Sequence, residues 1–505
     1  MSLCGTCQVT TLTRRDFLLG GAAAFWLGGW RLFAAPSGWK HGGKPNLVFG
    51  VVSDTHIRTN HQGKRDKSYT DRHFISALKY FRERNVDAVV HCGDMAHCGQ
   101  VEEMQFHADA WRQVFPDDRG IGGQKVELLF VTGNHDMEAS EYGIGALVKR
   151  LYPDAEERKQ HVLATDIAGN WERIWGEKYE GVWHKAVKGY HFFGRHWGVP
   201  DGDFGAMVKA QWPSETEMAD NRLVILLSHR HPYPALRRLF RLCSNRTNCN
   251  AVHFFGHWHH SSANWNVLTM FSEGSSQFAC VSVPSCFSSR GDNNMWRDGG
   301  ITKTPLEGID TSGIRQAREG YVVCVYDDML TIERREFSEG GNLGADWVMP
   351  LGKYEPHPFS KDELKKVIGE PQFKDGALLS LSGVREIGRM GVSSKNSPKL
   401  QNSETPSSES KDAIRLSIPL ADGNPDSRVY AYELVVVGDE GTPKLHKAVY
   451  AAGCNMGIGH EPNGGVTTLE ISKSELPLGK TLTFAVRPLS SLGTSGKAIA
   501  TTFKA

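Results

Sequence analysis

Five short apolar runs, each ending in the same kind of polar tail, constrain this chain more than anything else in it. NLVFGVVS (46–53), DAVVHC (87–92), ELLFVT (127–132), RLVILLS (222–228) and AVHFF (251–255) are largely apolar and each carries β-branched residues. Such continuous runs read as strands buried on both faces, the usual state of a parallel sheet between helices. Helix-period segments at 71–84 and 101–115 separate the first three. The expectation is an α/β domain with a largely parallel sheet. In such sheets the carboxyl ends of the strands form one rim, where ligands bind.

The tails place chemistry on that rim. They read Ser53-Asp54-Thr55-His56, Cys92-Gly93-Asp94, Gly133-Asn134-His135-Asp136, Ser228-His229-Arg230-His231 and Gly256-His257-Trp258-His259. Oxygen and imidazole donors without thiolates suit Mn, Fe, Zn or Ni and disfavour a thiolate site or a magnesium-only site. Asp54, His56, Asp94, Asn134, His229, His257 and His259 exceed what one four- to six-coordinate ion needs. Two ions about 3.5–4 Å apart, sharing a carboxylate, fit this set, and such a pair activates a bridging water as nucleophile.

D-x-H, GD, GNH-D, H and GHxH in this order resemble the motifs of the calcineurin-like metallophosphoesterases, from Asp54 to His259. The resemblance implies a metallophosphoesterase β-sandwich flanked by helices, over residues 45–344. It implies Asp54, His56 and His259 on one ion, Asn134, His229 and His257 on the other, and Asp94 between them. It makes His135 a catalytic group at the phosphoryl or leaving oxygen, with Asp136 orienting it. The chain departs from the family after Asp94. Cys98 stands where the protein phosphatases carry an arginine, and His97 where the purple acid phosphatases carry a tyrosine ligand.

Other candidates have plainer readings. His253 lies inside a strand and reads as a packed core residue. His231 competes with His229, which is preferred because it follows the strand directly. His260 neighbours His259 and points the other way along an extended segment. Arg58, Arg195, His196 and Arg290 are possible phosphate contacts against a background of solubilising surface charge.

The flanks add context. Thr13-Arg14-Arg15-Asp16-Phe17-Leu18-Leu19 before GGAAAFWLGG looks like a twin-arginine export signal, residues 1–35. The apolar stretch is shorter than the ~20 residues that span a bilayer, and no later segment reads as transmembrane. A periplasmic or extracellular protein is expected, folded and metal-loaded before export. Oxidising conditions permit disulfides. Three cysteine pairs share one spacing, and Cys243–Cys249 is the best disulfide candidate, with buried thiols as the plainer reading.

Residues 140–215, rich in Trp, Tyr and His, read as a cap over one sheet edge, with tryptophans at 171–197 lining surface loops. GYVVCVYDDMLTIERREF reads as a hairpin turning at Asp327-Asp328. Residues 345–372 read as a connector. Beyond it, short strands at 412–419, 428–437, 445–451, 465–472 and 480–488 indicate a small all-β sandwich over 373–505 that resembles a fibronectin type III module. Residues 394–411 are a Ser-rich polar insertion.

Formal charge is +1, with no basic stripe, so a nuclease or other nucleic-acid partner is not expected. The reading is an exported, two-metal hydrolase of phosphate mono- or diesters, acting on a small phosphoester or a phosphorylated surface. The alternative is a non-catalytic secreted binding protein with a structural metal site and an adhesive β-sandwich.

Overall fold

The computed structural model describes residues 33–34, 40–60, 62–64, 71–138, 145–214, 217–219, 223–231, 249–260, 262, 268–273, 276–287, 309–310, 318–337, 340–343, 346–351, 370–384, 413–422, 429–438, 441, 443–451, 466–477, 479–490 and 495–504. The main elements of the first body, in chain order, are β1 (Leu47–Val52), α1 (Asp71–Glu83), β2 (Ala88–Cys92), α2 (Val101–Val114), β3 (Glu127–Val131), α3 (Ile167–Trp175), β4 (Val182–Val187), β5 (Tyr190–Arg195), α4 (Asp201–Ala210), β6 (Leu223–Ser228), β7 (Asn250–Phe255), β8 (Leu268–Glu273), β9 (Ser276–Ser282), β10 (Glu319–Val325), β11 (Met329–Glu336) and β12 (Trp347–Pro350).

They form two sheets rather than one. The first runs β12-β11-β10-β1-β2-β3 and the second β4-β5-β6-β7-β9-β8. Each has a parallel centre, β1-β2-β3 and β5-β6-β7-β9, with antiparallel strands outside it. This is the β-sandwich flanked by helices that the family resemblance implies, where the apolar runs taken alone suggested one sheet. A run buried on both faces does not say which sheet it joins.

Period-two alternation explains the layering. In β1, Leu47, Phe49 and Val51 face inward, and β6 and β7 answer with Ile225, Leu227, Val252 and Phe254 across the same core. Phe49 meets Phe192 and Phe254 edge-on, with ring centroids 5.5 and 6.0 Å apart. The opposite face of the first sheet packs on α1, α2 and α3 through Phe74, Phe81, Trp111 and Ile174. The opposite face of the second packs on α4 through Phe204 and Val208. Helix, sheet, sheet and helix stack as four layers.

The described residues among 140–215 are part of this scaffold rather than a cap. They supply β4 and β5, joined by a tight turn at Lys188-Gly189 with both residues left-handed (φ 49° and 80°). Trp171, Trp175 and Trp183 are buried in the two cores on either side of the first sheet, so the expected aromatic surface loops do not form there. The hairpin at Asp327-Asp328 forms between β10 and β11. The connector begins with β12, which pairs with β11 and carries the first sheet on to Pro350. Phe33–Ala34, at the end of the segment read as a signal, pairs with β12; the twin-arginine motif lies outside the described residues.

The C-terminal region is all-β. Ser380–Val384, Ala413–Pro419 and Val466–Ser472 form one sheet. Pro443–Tyr450, Val429–Gly438, Thr481–Ser490 and Ile499–Lys504 form the other, with Ile309–Asp310 on its edge. Ile414, Leu416, Leu434, Val436, Leu469 and Phe484 belong to the core between them. The Ser-rich insertion lies outside the described residues. Among the described residues, no helix is long and apolar enough to cross a membrane. Cys92, Cys280 and Cys286 are free and buried, so neither the 92/98 nor the 280/286 pair is bridged. Cys243 lies outside the described residues.

Phe49 touches both inner sheet faces and is fully buried. Phe49→Ala should destabilise the first body by about 3–5 kcal/mol, read as a lower denaturant midpoint with an unchanged slope.

Candidate metal centre

The chain leaves the ends of β1, β2 and β7 in an unusual backbone state. Asp54 (φ 52°), His56 (46°), Asp94 (56°), His257 (74°) and His259 (55°) are all left-handed. Asp and His tolerate this region better than bulkier residues, yet each still resists it by about 1–2 kcal/mol. Such conformations persist only where surroundings over-determine them.

Backbone hydrogen bonds over-determine these. Asp54 N–H donates to the Gly93 carbonyl (2.9 Å), His56 N–H to the Asp94 carbonyl (3.0 Å) and Ile57 N–H to the Met95 carbonyl (2.9 Å). Gly93 is itself left-handed, and a Cβ there would stand 2.7 Å from His229 Nδ1. The His257 N–H donates to Asp54 Oδ2 (3.1 Å) and the His135 N–H to Asp94 Oδ1 (2.7 Å). Gly256 acts by close approach rather than by the sharp turn its place before His257 suggests. A Cβ there would lie 2.9 Å from the Cys92 carbonyl, 2.7 Å from Asp54 Oδ2 and nearer still to Ser53 Oγ.

The seven expected ligands come together in two groups. Asp54, His56 and His259 form one; Asp94, His229 and His257, with Asn134 against both histidines, form the other; His56 also groups with His97 and His135. In the first, His259 Nε2 lies 3.0 Å from Asp54 Oδ1 and 3.2 Å from His56 Nε2. In the second, Asn134 Oδ1 lies 2.9 Å from His257 Nδ1 and 3.1 Å from His229 Nε2. Asp94 Oδ2 stands between them, 3.1 Å from His229 Nε2 and 3.8 Å from His56 Nε2. His229 Nδ1–H donates to the Cys92 carbonyl (2.7 Å), which turns Nε2 inward as an acceptor.

Imidazole nitrogens 3.2–3.3 Å apart, facing carboxylate and amide oxygens, are donors of one kind converging on two points. Asp54 Oδ1 is buried and makes no aligned hydrogen bond. This donor set fits two divalent or trivalent cations. Electrostatics agree. Burial opposes ionisation of Asp54, but His259, His229 and His56 outweigh it and hold the carboxyl far below its usual range. Burial likewise opposes charge on Asp94, and His229 and His56 outweigh it. Burial drives His56 and His257 down toward the neutral, ligating form. His229 is the exception: burial disfavours its charge, yet Asp94 and Asp54 raise it to about 9.

His135 and Asp136 sit apart in role. His135 Nδ1–H donates to the His97 carbonyl (2.8 Å), and its ring stands edge-on to His56 (4.6 Å). Asp136 does not orient that ring. Its carboxylate accepts from the N–H of Ala96 (2.7 Å) and of Gly133 (2.8 Å), pinning the two loops. As the third residue of the short helix Asn134–Met137, Asp136 reaches back to the N–H of its N-cap Gly133, a one-way cap because glycine has no side chain to return the bond.

His231 stacks on Trp258 (5.0 Å, 6°) beside Phe255, away from the ligand cluster, and His260 flanks the same tryptophan. His253 is buried, with Nε2 2.8 Å from Ser228 Oγ. Arg195 pairs with Asp201, and His196 Nδ1 accepts from the Thr132 N–H, so both are committed locally. Arg290 lies outside the described residues. His97 stacks on His135 (5.7 Å) and meets His56 edge-on (5.4 Å).

Phe287 and Trp197 are additions from the structure. Phe287 packs 5.4 Å from the His56 ring, and its N–H donates to the Asp54 carbonyl. Nothing in VPSCFSS marked it. Trp197 stands 5.7 Å from His229 and 5.8 Å from His257. Of the tryptophans in the 171–197 cluster, it is the one beside the ligands.

Residues 47–261 match the family model described as calcineurin-like phosphoesterase. This stretch is a calcineurin-like phosphoesterase domain. Beyond it, β8 to β12 complete the two sheets. A curated relative, the glycerophosphodiester phosphodiesterase GpdQ of Enterobacter lignolyticus, is 40% identical over 96 residues, which are 18% of this chain and 31% of that protein. The chain therefore matches less than a third of that relative's length. Among solved structures, a dimetal phosphatase from Danio rerio is 12% identical, covering 61% of this chain and 99% of that one (TM-score 0.30). Purple acid phosphatase PPD1 from yellow lupin, Lupinus luteus, is 11% identical, covering 61% and 55% (TM-score 0.32).

One buried acid ties the rim to α2. Glu103 accepts from the N–H groups of Thr59 (3.1 Å) and Cys98 (2.7 Å), on the loops that follow the Asp54 and Asp94 motifs. Burial raises its carboxyl to about 7, against the pull of those N–H groups. A carboxyl with a higher folded than unfolded pKa binds its proton more tightly when folded. Its contribution to stability is therefore full below about 4.5 and is lost as pH rises through about 7. Wild type should lose unfolding free energy relative to Glu103→Gln across that window. Parallel denaturation curves for the two proteins would show no such divergence if the carboxyl titrates normally.

Proposed function

We propose that the protein is an exported hydrolase of phosphoesters that works with two metal ions, and that phosphodiesters are its substrates. The observation that carries this is Asp94 Oδ2 placed between two donor groups, 3.1 Å from His229 and 3.8 Å from His56. Asp54, His56 and His259 would hold one ion, and Asn134, His229 and His257 the other, with Asp94 shared. Such a pair supplies Lewis acidity at a phosphoryl oxygen and a water of lowered pKa.

The chain's own residues do the rest. The Cys92 carbonyl fixes the tautomer of His229, leaving Nε2 as the ligating nitrogen. The His97 carbonyl fixes His135 in the same way, so His135 Nε2 is the nitrogen available to a phosphoryl or leaving oxygen. Asp136 keeps the Asp94 and Asn134 loops in register, which keeps the donors in place before substrate arrives. The diester preference is supported by the phosphodiesterase among the relatives. Arg14-Arg15 and the apolar stretch after them support export, to the periplasm or beyond. The division of the C-terminal strands into sheets of three and four supports a fibronectin type III-like module. His135 groups with His56 and His97 rather than with the carboxylates; a purely structural site for two ions would not need these added imidazoles, which favours the enzyme over a binding protein.

Metal-replete protein assayed on bis(p-nitrophenyl) phosphate and p-nitrophenyl phosphate should turn over the diester faster. Asp94→Asn should lower kcat by roughly 10²–10³ or more, the scale of removing one preorganised electrostatic group. No turnover of either ester by protein carrying two ions would defeat the enzyme reading.

Metal counting tests the ligand set separately. His229→Ala should bind fewer ions per chain, whereas His231→Ala, which removes a ring stacked on Trp258 and set edge-on to Phe255, should bind as wild type. The reverse pattern would exchange the two histidines.

A further inference from the structure

Two ring nitrogens stand beside the two donor groups without a bonding role in either. His56 Nδ1 and His97 Nδ1 are buried, and neither makes a hydrogen bond. Burying such a nitrogen without a partner is costly whether it carries a proton or a lone pair. In a folded protein it often marks the place of an ion or of a catalytic step.

Both rings belong to one cluster. His56, His97 and His135 each offer a nitrogen within 4.8 Å of the other two. The His56 ring stands edge-on to its neighbours, 4.6 Å from His135 and 5.4 Å from His97, and those two stack 5.7 Å apart. Main-chain bonds hold the arrangement. The His97 N–H donates to the Ile57 carbonyl (3.0 Å), one residue past His56. The His97 carbonyl accepts from His135 Nδ1–H (2.8 Å), which makes Nε2 the lone-pair nitrogen of that ring. Phe287 closes one side, 5.4 Å from the His56 ring and 6.1 Å from His97.

Three imidazoles this close repel one another's protons, and a neutral imidazole is a lone-pair donor. Three of them make a sufficient protein set for zinc, with a water as fourth ligand. We propose that His56, His97 and His135 form a third cation site, adjoining the pair, for a divalent ion that favours nitrogen ligands. Zn²⁺, Ni²⁺ and Cu²⁺ qualify, whereas Mn²⁺ and Mg²⁺ favour oxygen. His56 is shared with the first donor group. Imidazole has two nitrogens, so one ring serves both ions once its proton is released to solvent. No carboxylate stands among these three donors, whereas Asp54 and Asp94 serve the pair. The third ion is therefore the most weakly bound and enters only when the cation is in excess.

The consequence of filling the site rests on the hydrolase reading above. An ion on His135 Nε2 takes the lone pair at which that ring would carry a proton for the phosphoryl or leaving oxygen. The third site is thus inhibitory. A cation that fills the pair at low concentration shuts the centre at high concentration.

Counting bound metal by equilibrium dialysis decides the site without an activity assay. Wild type should hold three Zn²⁺ per chain in excess zinc, but two Mn²⁺ in excess manganese. His97→Ala keeps the carbonyl that orients His135, and should hold two of either ion. His97→Phe, which keeps a ring without its nitrogens, should do the same. Two Mn²⁺ per chain in a variant shows that its pair is intact. Two Zn²⁺ in wild type, or three in either variant, would overturn the site. For the consequence, protein carrying two Zn²⁺ should lose turnover of bis(p-nitrophenyl) phosphate as more zinc is added. The half-inhibiting concentration should rise at least tenfold in both variants, since losing even an outer partner of a ligand costs ~10–100-fold in metal affinity. Equal inhibition of wild type and variants would overturn the inhibitory role. No turnover with either zinc or manganese, beside a count of three zinc ions, would overturn the hydrolase reading and uphold the site.

Discussion

Everything at the centre depends on two backbone hydrogen bonds. Asp54 N–H to the Gly93 carbonyl and His56 N–H to the Asp94 carbonyl join the ends of β1 and β2. They continue the parallel ladder past the point where both chains have turned left-handed. Without them, Asp54, His56 and Asp94 would relax toward ordinary dihedrals, and the carboxylate that the His257 N–H leans on would move with them. With them, the carboxylates of Asp54 and Asp94 are held side by side despite like charge, and the surrounding imidazoles offset the repulsion. A scaffold that holds such groups before any cation arrives reduces what binding must reorganise.

The site was legible in the sequence to a high degree, and for a physical reason. Metal donors must be Asp, Asn or His, and they must leave strand ends in order, so five short motifs carry the arrangement. The strands themselves were legible too, since burial on both faces writes an unbroken apolar run. Which sheet each run joins was not, because Ile225 and Val51 face the same core from opposite sides and read alike. β4 and β5 were hidden by polar letters: VWHKAV and YHFFGR carry histidines and lysine that bond locally, His184 to His191 and Lys185 to Glu177.

Roles defined by a hydrogen bond were the least legible. Asp136 follows His135 and invited the reading that one orients the other, but a carboxylate at the third position of a helical turn reaches back to its own N-cap. His135 is oriented by a carbonyl, which any residue at position 97 could supply. Phe287 has the same character: its backbone N–H and its ring reach the centre from a stretch whose letters are unremarkable. Main-chain contributions leave no mark on residue identity.

The close approach at Gly256 has a wider meaning. There the end of β7 meets Ser53 and the Cys92 carbonyl with no room for one methyl group. At the rim the Gly256 main chain therefore closes directly on Ser53 Oγ, Asp54 Oδ2 and the Cys92 carbonyl, while elsewhere side chains from both sheets stand between them. Their spacing at the centre is set by that close contact, not by the volume of the core. The molecule is hinged in that sense like a book gripped at one edge. Drift in core packing can change how far the pages splay at the far side, and the two donor groups on the gripped edge keep their separation.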